Sequence, residues 1–445
     1  MQQERNIFPI VNDGFTTKEA IDEAKRCLHC KVPQCRKGCP IGNNIPEFIK
    51  QLSKGNMGEA MKVINETSNL PAICGRVCPH EKQCQGSCVL GKKGQPIQIG
   101  KLESFIADFD TQMNLIREDL PQKTRGRVAV IGSGPAGLTV AGELARQGFG
   151  VTIFEGQNEL GGVLMYGIPE YRLPKAIVRA EVKKIEALGV TFKPHCMVGR
   201  NNVTIDSIFS DGYDAIFIGT GTALPQEVTT PGHNLGGIGQ SIYLLHQFSA
   251  YSEGALSRRH VPVNEGDRVG VIGCGNVAMD AARTAIRLGA DVKVMYRRTQ
   301  AEMPAIESEY NAAVAEGVEF LWKTEVTEFI DNGNGYLKAA RLTSPEGEKT
   351  VEFDRIFLAI GSRPADRIVS TTDGIDVDEK GYVKTMDYPM GMTTRRGVFA
   401  GGDVVHRPQT VVLAMKAAKE VAQGIAQYVD ALKLMRHIGQ MSNSD

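Results

Sequence analysis

No excess charge of either sign marks this chain: 51 Lys plus Arg offset 51 Asp plus Glu across 445 residues. That balance argues against a broad nucleic-acid or acidic-membrane surface, because both are held by concentrated cationic fields. Nor does any stretch approach the roughly 20 consecutive apolar residues of a spanning helix. The opening Met1-Gln2-Gln3-Glu4-Arg5-Asn6 lacks the apolar run of a signal peptide. No low-complexity segment interrupts the chain. A cytoplasmic protein is expected, with no membrane span and a length sufficient for two or three cores.

What is present is unevenly spread. Eight of the ten cysteines lie between Cys27 and Cys88. In an oxidising compartment such density means disulfides, and in a reduced cytosol it means metal. The spacings are Cys27-x2-Cys30-x4-Cys35-x3-Cys39-Pro40 and Cys74-x3-Cys78-x5-Cys84-x3-Cys88. Zinc ribbons pair two CxxC units. Iron–sulfur cubanes favour close runs ending in Cys-Pro, with the last cysteine serving a neighbouring cluster. This chain has the second form, so two metal centres are expected, with a zinc or disulfide scaffold as the competing reading. Residues 1–118 read as a helical domain carrying them. Thr16 or Thr17 caps a helix over Lys18–Leu28, Asn44 opens another before Ile45-Pro46, and a third runs from Ile99 to about Glu118. Asp119–Gly126 has no period and reads as a linker.

Beyond it, short apolar strands alternate with helical segments. Arg127–Ile131, Thr139–Arg146 and Gly150–Glu155 form one βαβ pattern; Arg268–Ile272, Ala278–Leu288 and Asp291–Tyr296 form another. The first loop is Gly132-Ser133-Gly134-Pro135-Ala136-Gly137. Its glycines allow a tight turn and close pyrophosphate approach at a helix N-terminus. Glu155 ends the second strand, where a carboxylate accepts ribose hydroxyls. The second loop is Gly273-Cys274-Gly275-Asn276-Val277-Ala278, but its second strand ends in Arg297-Arg298. Guanidinium groups pair with a 2′-phosphate that a carboxylate would repel, so NADP(H) is expected there. Gly397–Asp403 combines a short strand with Gly402 and Asp403, the acid expected to accept from the ribityl chain of FAD. Gly219–Gly221 and Gly361–Pro364 mark the crossings between two domains. The expected architecture is therefore α/β: two Rossmann-like dinucleotide-binding domains, the NADPH domain inserted in the FAD domain, preceded by an α-helical iron–sulfur domain. The boundaries are 1–118 for the clusters, 124–223 and 366–445 for FAD, and 224–365 for the nicotinamide nucleotide. His80, His195, His233 and His406 lack ligand partners at useful spacing; with Cys196 and Trp322 they read as packed or solvated.

The combination of these motifs with Leu70–Pro79, Gly161–Pro169, Gly275–Asp280 and Glu302–Ala305 resembles the small-subunit family of NADPH-dependent glutamate synthase. It is similar also to the large subunit of the electron-bifurcating transhydrogenase and to the N-terminal half of dihydropyrimidine dehydrogenase. The resemblance implies two [4Fe-4S] clusters with interleaved ligands. One takes Cys27, Cys30, Cys35 and Cys88; the other takes Cys39, Cys78 and Cys84, with Glu103 as a non-cysteine fourth ligand and Cys74 as a structural thiol. A plainer alternative makes Cys74 the ligand and leaves Glu103 solvated. Gly162, Leu164, Val198 and Gly221 join the expected cofactor contacts. The implied activity carries electrons from NADPH through FAD and both clusters to a partner, either a glutamate synthase large chain or another flavin or iron–sulfur protein. No catalytic acid or base is expected, because the cofactors carry the chemistry. Thiol–disulfide reduction and a cofactor-free scaffold are disfavoured, and a homo-oligomer stays open. Arg407, Pro408 and Lys416 depart from the small residues that relatives often place there.

Overall fold

The computed structural model describes residues 14–116, 118–200 and 203–441, so the opening hexapeptide lies outside it. The chain divides into two compact units. One comprises Tyr166–Pro174 and Pro225–Ser362; the other comprises residues 14–165, Lys175–Leu224 and 363–441. The chain thus crosses after Leu224 and again after Ser362.

In the larger unit, a parallel five-stranded sheet runs in the order Val398–Ala400, Ala215–Ile218, Gly126–Ile131, Phe149–Phe154, Thr191–Lys193. Its central strand is the unbroken apolar run Val128-Ala129-Val130-Ile131, all buried, as a strand covered on both faces requires. The helix Pro135–Arg146 follows with proline in its first turn. The cysteine-rich helices belong to this same unit and build a core of their own from Phe48, Ile49, Leu52, Ile64, Leu102 and Ile106.

Two of the expected helices prove shorter than their apolar pattern. Thr17–Lys25 begins with a capping box, in which Thr16 N–H donates to Glu19 Oε2 at 2.8 Å and Thr16 Oγ1 accepts from Glu19 N at 3.3 Å. It stops before Leu28, and the backbone turns through His29 at φ 46° between Cys27 and Cys30. The helix Ile99–Met113 ends on Asn114 at φ 49°, a left-handed cap that asparagine tolerates, rather than reaching Glu118.

The smaller unit holds a second parallel sheet, ordered Ile238–Gln240, Arg355–Leu358, Arg268–Ile272, Asp291–Tyr296, Glu319–Trp322. A three-stranded antiparallel sheet, Glu325–Asp331 with Leu337–Ser344 and Gly347–Glu352, accompanies it. The segment Tyr166–Pro174 joins this unit through a buried anchor. Tyr171 packs against Phe248 and donates its hydroxyl to Asp280 O at 3.2 Å. Arg172 meets both oxygens of Asp280 at 2.8 and 2.9 Å and Glu309 at 2.9 Å. Among the described residues no helix is long and apolar enough to cross a membrane.

Candidate cofactor sites

The cysteines separate into two groups. Cys27, Cys30, Cys35 and Cys88 line one cavity together with Leu28, Ile45, Ile49 and Leu90. Burial pushes the Cys27 thiol up and Cys35 to about 11, and the charges of their neighbours in the group add to both. None of the ten cysteines is in a disulfide. Four free thiols that repel one another once ionised suit a polynuclear cation, and thiolates are the ligands such clusters use. Among the described residues no three His, Cys, Asp or Glu side chains converge as a single-ion site. A cubane makes a different demand, spreading its four ligands over separate iron corners.

Cys39, Cys78 and Cys84 form the second group around Glu103. Burial is the largest cause raising Cys39 and Cys84, with the Glu103 charge next for Cys84; Cys78 is raised by its hydrogen bond to Cys74 and by burial. Glu103 is 7% exposed, so it is not the solvated side chain of the plainer reading. Its carboxyl is pushed up to about 8, by burial first and then by Glu181, against a 3.3 Å hydrogen bond from Asn43 Nδ2. Asn43 Oδ1 is buried without a hydrogen-bond partner among the described residues. Cys74 is buried too, its thiol 3.5 Å from Met415 Sδ. What puts Glu103 beside these thiols is a close helix crossing. A Cβ on Gly75 would stand 2.5 Å from Ser104 N and 2.7 Å from Gly100 O, so only glycine lets Pro71–Val77 lie against Ile99–Met113.

The first dinucleotide loop is drawn tight by its own backbone. A Cβ on Gly137 would meet Gly132 O at 1.9 Å, whereas Gly134 faces open space. Gly162 approaches Gly134, Gly402 abuts Ala136, and Gly219 O lies beside Gly132 two residues before Gly221. Pro135 opens the helix. Glu155 is buried and already engaged: Oε2 accepts from Ser133 N at 2.9 Å and Ser133 Oγ at 2.6 Å, and Oε1 accepts from Gln157 N at 2.8 Å. Asp403 is the opposite case. It is half-buried with no hydrogen-bond or ion-pair partner among the described residues, and burial raises its carboxyl to about 6. An open glycine at a helix N-terminus and an unpartnered carboxylate in one place fit a dinucleotide with a polyol chain. Leu164 is buried and its carbonyl accepts from the buried Lys175 Nζ at 2.9 Å. Val198 packs in the sheet core with Ile131 and Phe154. Ser133 and Lys175 escaped the sequence reading, since their partners lie 22 and 11 residues away.

The second loop repeats the design in the smaller unit. Gly273 turns at φ 120° under Ala359 O, and Gly275 faces open space as Gly134 does. Asn276 Oδ1 accepts from Ile306 N at 3.0 Å, and Val277 is 45% exposed at the start of the helix Asn276–Arg287. Arg297 and Arg298 are exposed just past the strand, their guanidiniums without a hydrogen-bonded partner among the described residues, although the Glu302 carboxylate acts electrostatically on Arg298. Trp322 is half-buried, its ring stacked on Phe320 at 5.3 Å. His80 is half-buried, and desolvation lowers its imidazole to about 4.

Comparison with known proteins matches each part. Residues 3–115 fit the family described as dihydropyrimidine dehydrogenase domain II, 4Fe-4S cluster, and residues 126–418 fit pyridine nucleotide-disulphide oxidoreductase. The glutamate synthase [NADPH] small chain of Azospirillum brasilense is 33% identical over 96% of this chain and 93% of its own. The NAD-dependent dihydropyrimidine dehydrogenase subunit PreT of Escherichia coli is 34% identical over 96% and 98%. Lactococcus lactis thioredoxin reductase shares the fold, with a TM-score of 0.52, 22% identity, and coverage of 68% of this chain and 99% of that one.

Proposed function

Because this chain belongs to the family of glutamate synthase small chains and PreT subunits, we propose that it passes electrons from NADPH, through FAD and two [4Fe-4S] clusters, to a partner subunit. It is a flavin- and iron–sulfur-dependent pyridine nucleotide oxidoreductase. When bound, the flavin supplies exchange between two-electron and one-electron chemistry, and the cubanes supply one-electron storage. The chain's own residues bind and orient. Gly134 and the helix N-terminus at Pro135 hold the FAD pyrophosphate, with Ala136 and Gly137 closing the turn. Glu155 orders that loop through Ser133, and Asp403 offers its free carboxylate to the ribityl hydroxyls. Gly275, Asn276 and Val277 hold the second dinucleotide, and Arg297 and Arg298 take its 2′-phosphate. Residues 1–118, 124–223 with 366–445, and 224–365 are the cluster, flavin and nicotinamide parts.

The observation that carries this reading is the cavity shared by Cys27, Cys30, Cys35 and Cys88, drawn from opposite ends of the cysteine-rich region. Glu103 completes the second set with Cys39, Cys78 and Cys84. A glutamate synthase large chain is the leading partner. The PreT likeness supports a second reading, with a pyrimidine-reducing subunit in its place; the exposed pair Arg297 and Arg298 favours NADPH over NADH in either. Anaerobic NADPH added to the isolated holoprotein should bleach the flavin band within the mixing time. An unbleached band, or a preparation holding zinc without acid-labile sulfide, would overturn the proposal.

A further inference from the structure

The chain as a whole is electrically balanced, yet the two segments that frame the first cysteine cavity are not. Lys25 to Cys39 contains Lys25, Arg26, Lys31, Arg36 and Lys37 and no carboxylate, with Lys25 and Arg26 paired to Asp22 and Glu23 just before it. Cys84 to Lys101 adds Lys92, Lys93 and Lys101, again with no carboxylate. The segments lie side by side. Arg26 Nη2 donates to Gln95 O at 2.6 Å, and Gln98 N donates to Glu23 Oε1 at 2.8 Å. Lys31, Lys37, Lys92 and Lys93 are all exposed and have no carboxylate partner among the described residues. Within this basic frame stand Leu28, 61% exposed while lining the cavity, and Val32, 59% exposed.

An exposed apolar centre inside a charged rim is the anatomy of a protein interface. The centre excludes water on contact; the rim raises the encounter rate and selects the sign of the partner. Unpaired, hydrated lysines on flexible stems give steering without a locked geometry, which suits a short-lived complex. We propose that this face is the docking site for an acidic one-electron carrier protein, one whose redox centre is ringed by carboxylates. The inference rests on the electron-transfer reading above as far as the cysteine set of Cys27, Cys30, Cys35 and Cys88, and gives that exit a soluble acceptor in addition to the partner subunit. The balance is one NADPH and two oxidised carriers giving NADP+, one proton released to solvent, and two reduced carriers.

Two haem proteins of opposite charge serve as probes: acidic cytochrome b5 and basic cytochrome c, each a one-electron acceptor. The anaerobic holoprotein should bind cytochrome b5 by calorimetry at low salt, with affinity falling as salt rises. Lys31→Glu, Lys37→Glu, Lys92→Glu and Lys93→Glu together should weaken that binding and slow the second-order reduction about 10- to 100-fold. The same variant should still bleach its flavin with NADPH. Lys338→Glu with Lys349→Glu, two exposed lysines of the smaller unit, should change neither. Binding and reduction indifferent to salt and to the fourfold reversal would overturn the proposal, as would a preference for cytochrome c. A holoprotein that dimerises through this face, with the fourfold variant monomeric, would overturn it in favour of a second copy. Failure of wild-type flavin to bleach would instead sink the electron-transfer reading, while calorimetry would still judge the face.

Discussion

Replacing Asp280 by alanine strands a buried guanidinium, and the cost can be worked from its surroundings. The Arg172 and Asp280 side chains are 9% and 5% exposed and share two hydrogen bonds. Removing one partner of such a pair usually costs about 3–5 kcal/mol, because the remaining charge stays out of water. Here Glu309 still reaches Arg172 Nε at 2.9 Å, but it also serves Arg283 at 2.7 Å, so its compensation is shared. Asp280→Ala should therefore cost about 3 kcal/mol, the lower end of the range. For a unit of this size that lowers the melting temperature by roughly 6–12 °C. The assay is calorimetry, with the transition of the smaller unit identified by its upward shift with NADP+. Arg172→Met combined with Asp280→Leu removes both charges and should recover to within about 1 kcal/mol of the parent. A loss below about 1 kcal/mol in Asp280→Ala, or a double variant as unstable as the two single losses added, would refute the claim that this pair anchors the Tyr166–Pro174 segment.

Glu103→Gln should lower bound iron from about eight to about four atoms per chain, measured by iron and sulfide analysis with electron paramagnetic resonance of the reduced protein; if Cys74→Ser loses the iron and Glu103→Gln keeps it, the ligand assignment reverses. Arg298→Ala should raise KM for NADPH about 10- to 100-fold, the worth of a charged hydrogen bond to phosphate, with little change for NADH; equal losses for both coenzymes would remove the 2′-phosphate role. Gly137→Ala should yield protein without flavin, since the new methyl would stand 1.9 Å from Gly132 O, and a yellow preparation of unchanged stoichiometry would contradict that loop geometry. Asp403 is raised from 3.8 to about 6, so the flavin-free fold binds an extra proton between those values and loses stability as pH rises through them, on the order of 2–3 kcal/mol in all. Urea midpoints of flavin-free Asp403→Asn should lack that slope, and parallel pH profiles would place the carboxylate in solvent.

Much of the fold could be read from local pattern because local forces set it. The two βαβ units and the strands Arg268–Ile272 and Asp291–Tyr296 stand where the apolar runs put them. The antiparallel sheet escaped notice for the converse reason: Gly347–Glu352 is almost wholly exposed and has no apolar alternation to betray it. The grouping of Tyr166–Pro174 with the smaller unit was equally hidden, since its anchor Asp280 lies 108 residues away. Spacing alone also could not separate Cys35 from Cys39. Four residues apart on a continuing helix they would share a face. The helix Gln34–Gly38 instead stops between them, where a Cβ on Gly38 would strike Ser87 Oγ, and Cys39 turns extended at φ −85°, ψ 121°. The interleaving is what the resemblance implies, and the broken helix is compatible with it.

The two dinucleotide loops differ in a way that motif matching hides. At the first, the acid at the strand end already accepts from Ser133 and Gln157, which holds the loop in shape for a ligand. At the second, the guanidiniums of Arg297 and Arg298 are exposed and hold no hydrogen bond among the described residues, with only the charge of the exposed Glu302 acting on Arg298, so most of their charge is left for whatever arrives. A preorganised site gives up little on binding, while an unpaired cationic site gains most from an anion that lacks a counterion. The flavin loop is therefore built to retain a resident group. The nicotinamide loop is built to capture and release a visiting one, and the proposed preference for the 2′-phosphate rests on two guanidiniums that no carboxylate hydrogen-bonds among the described residues.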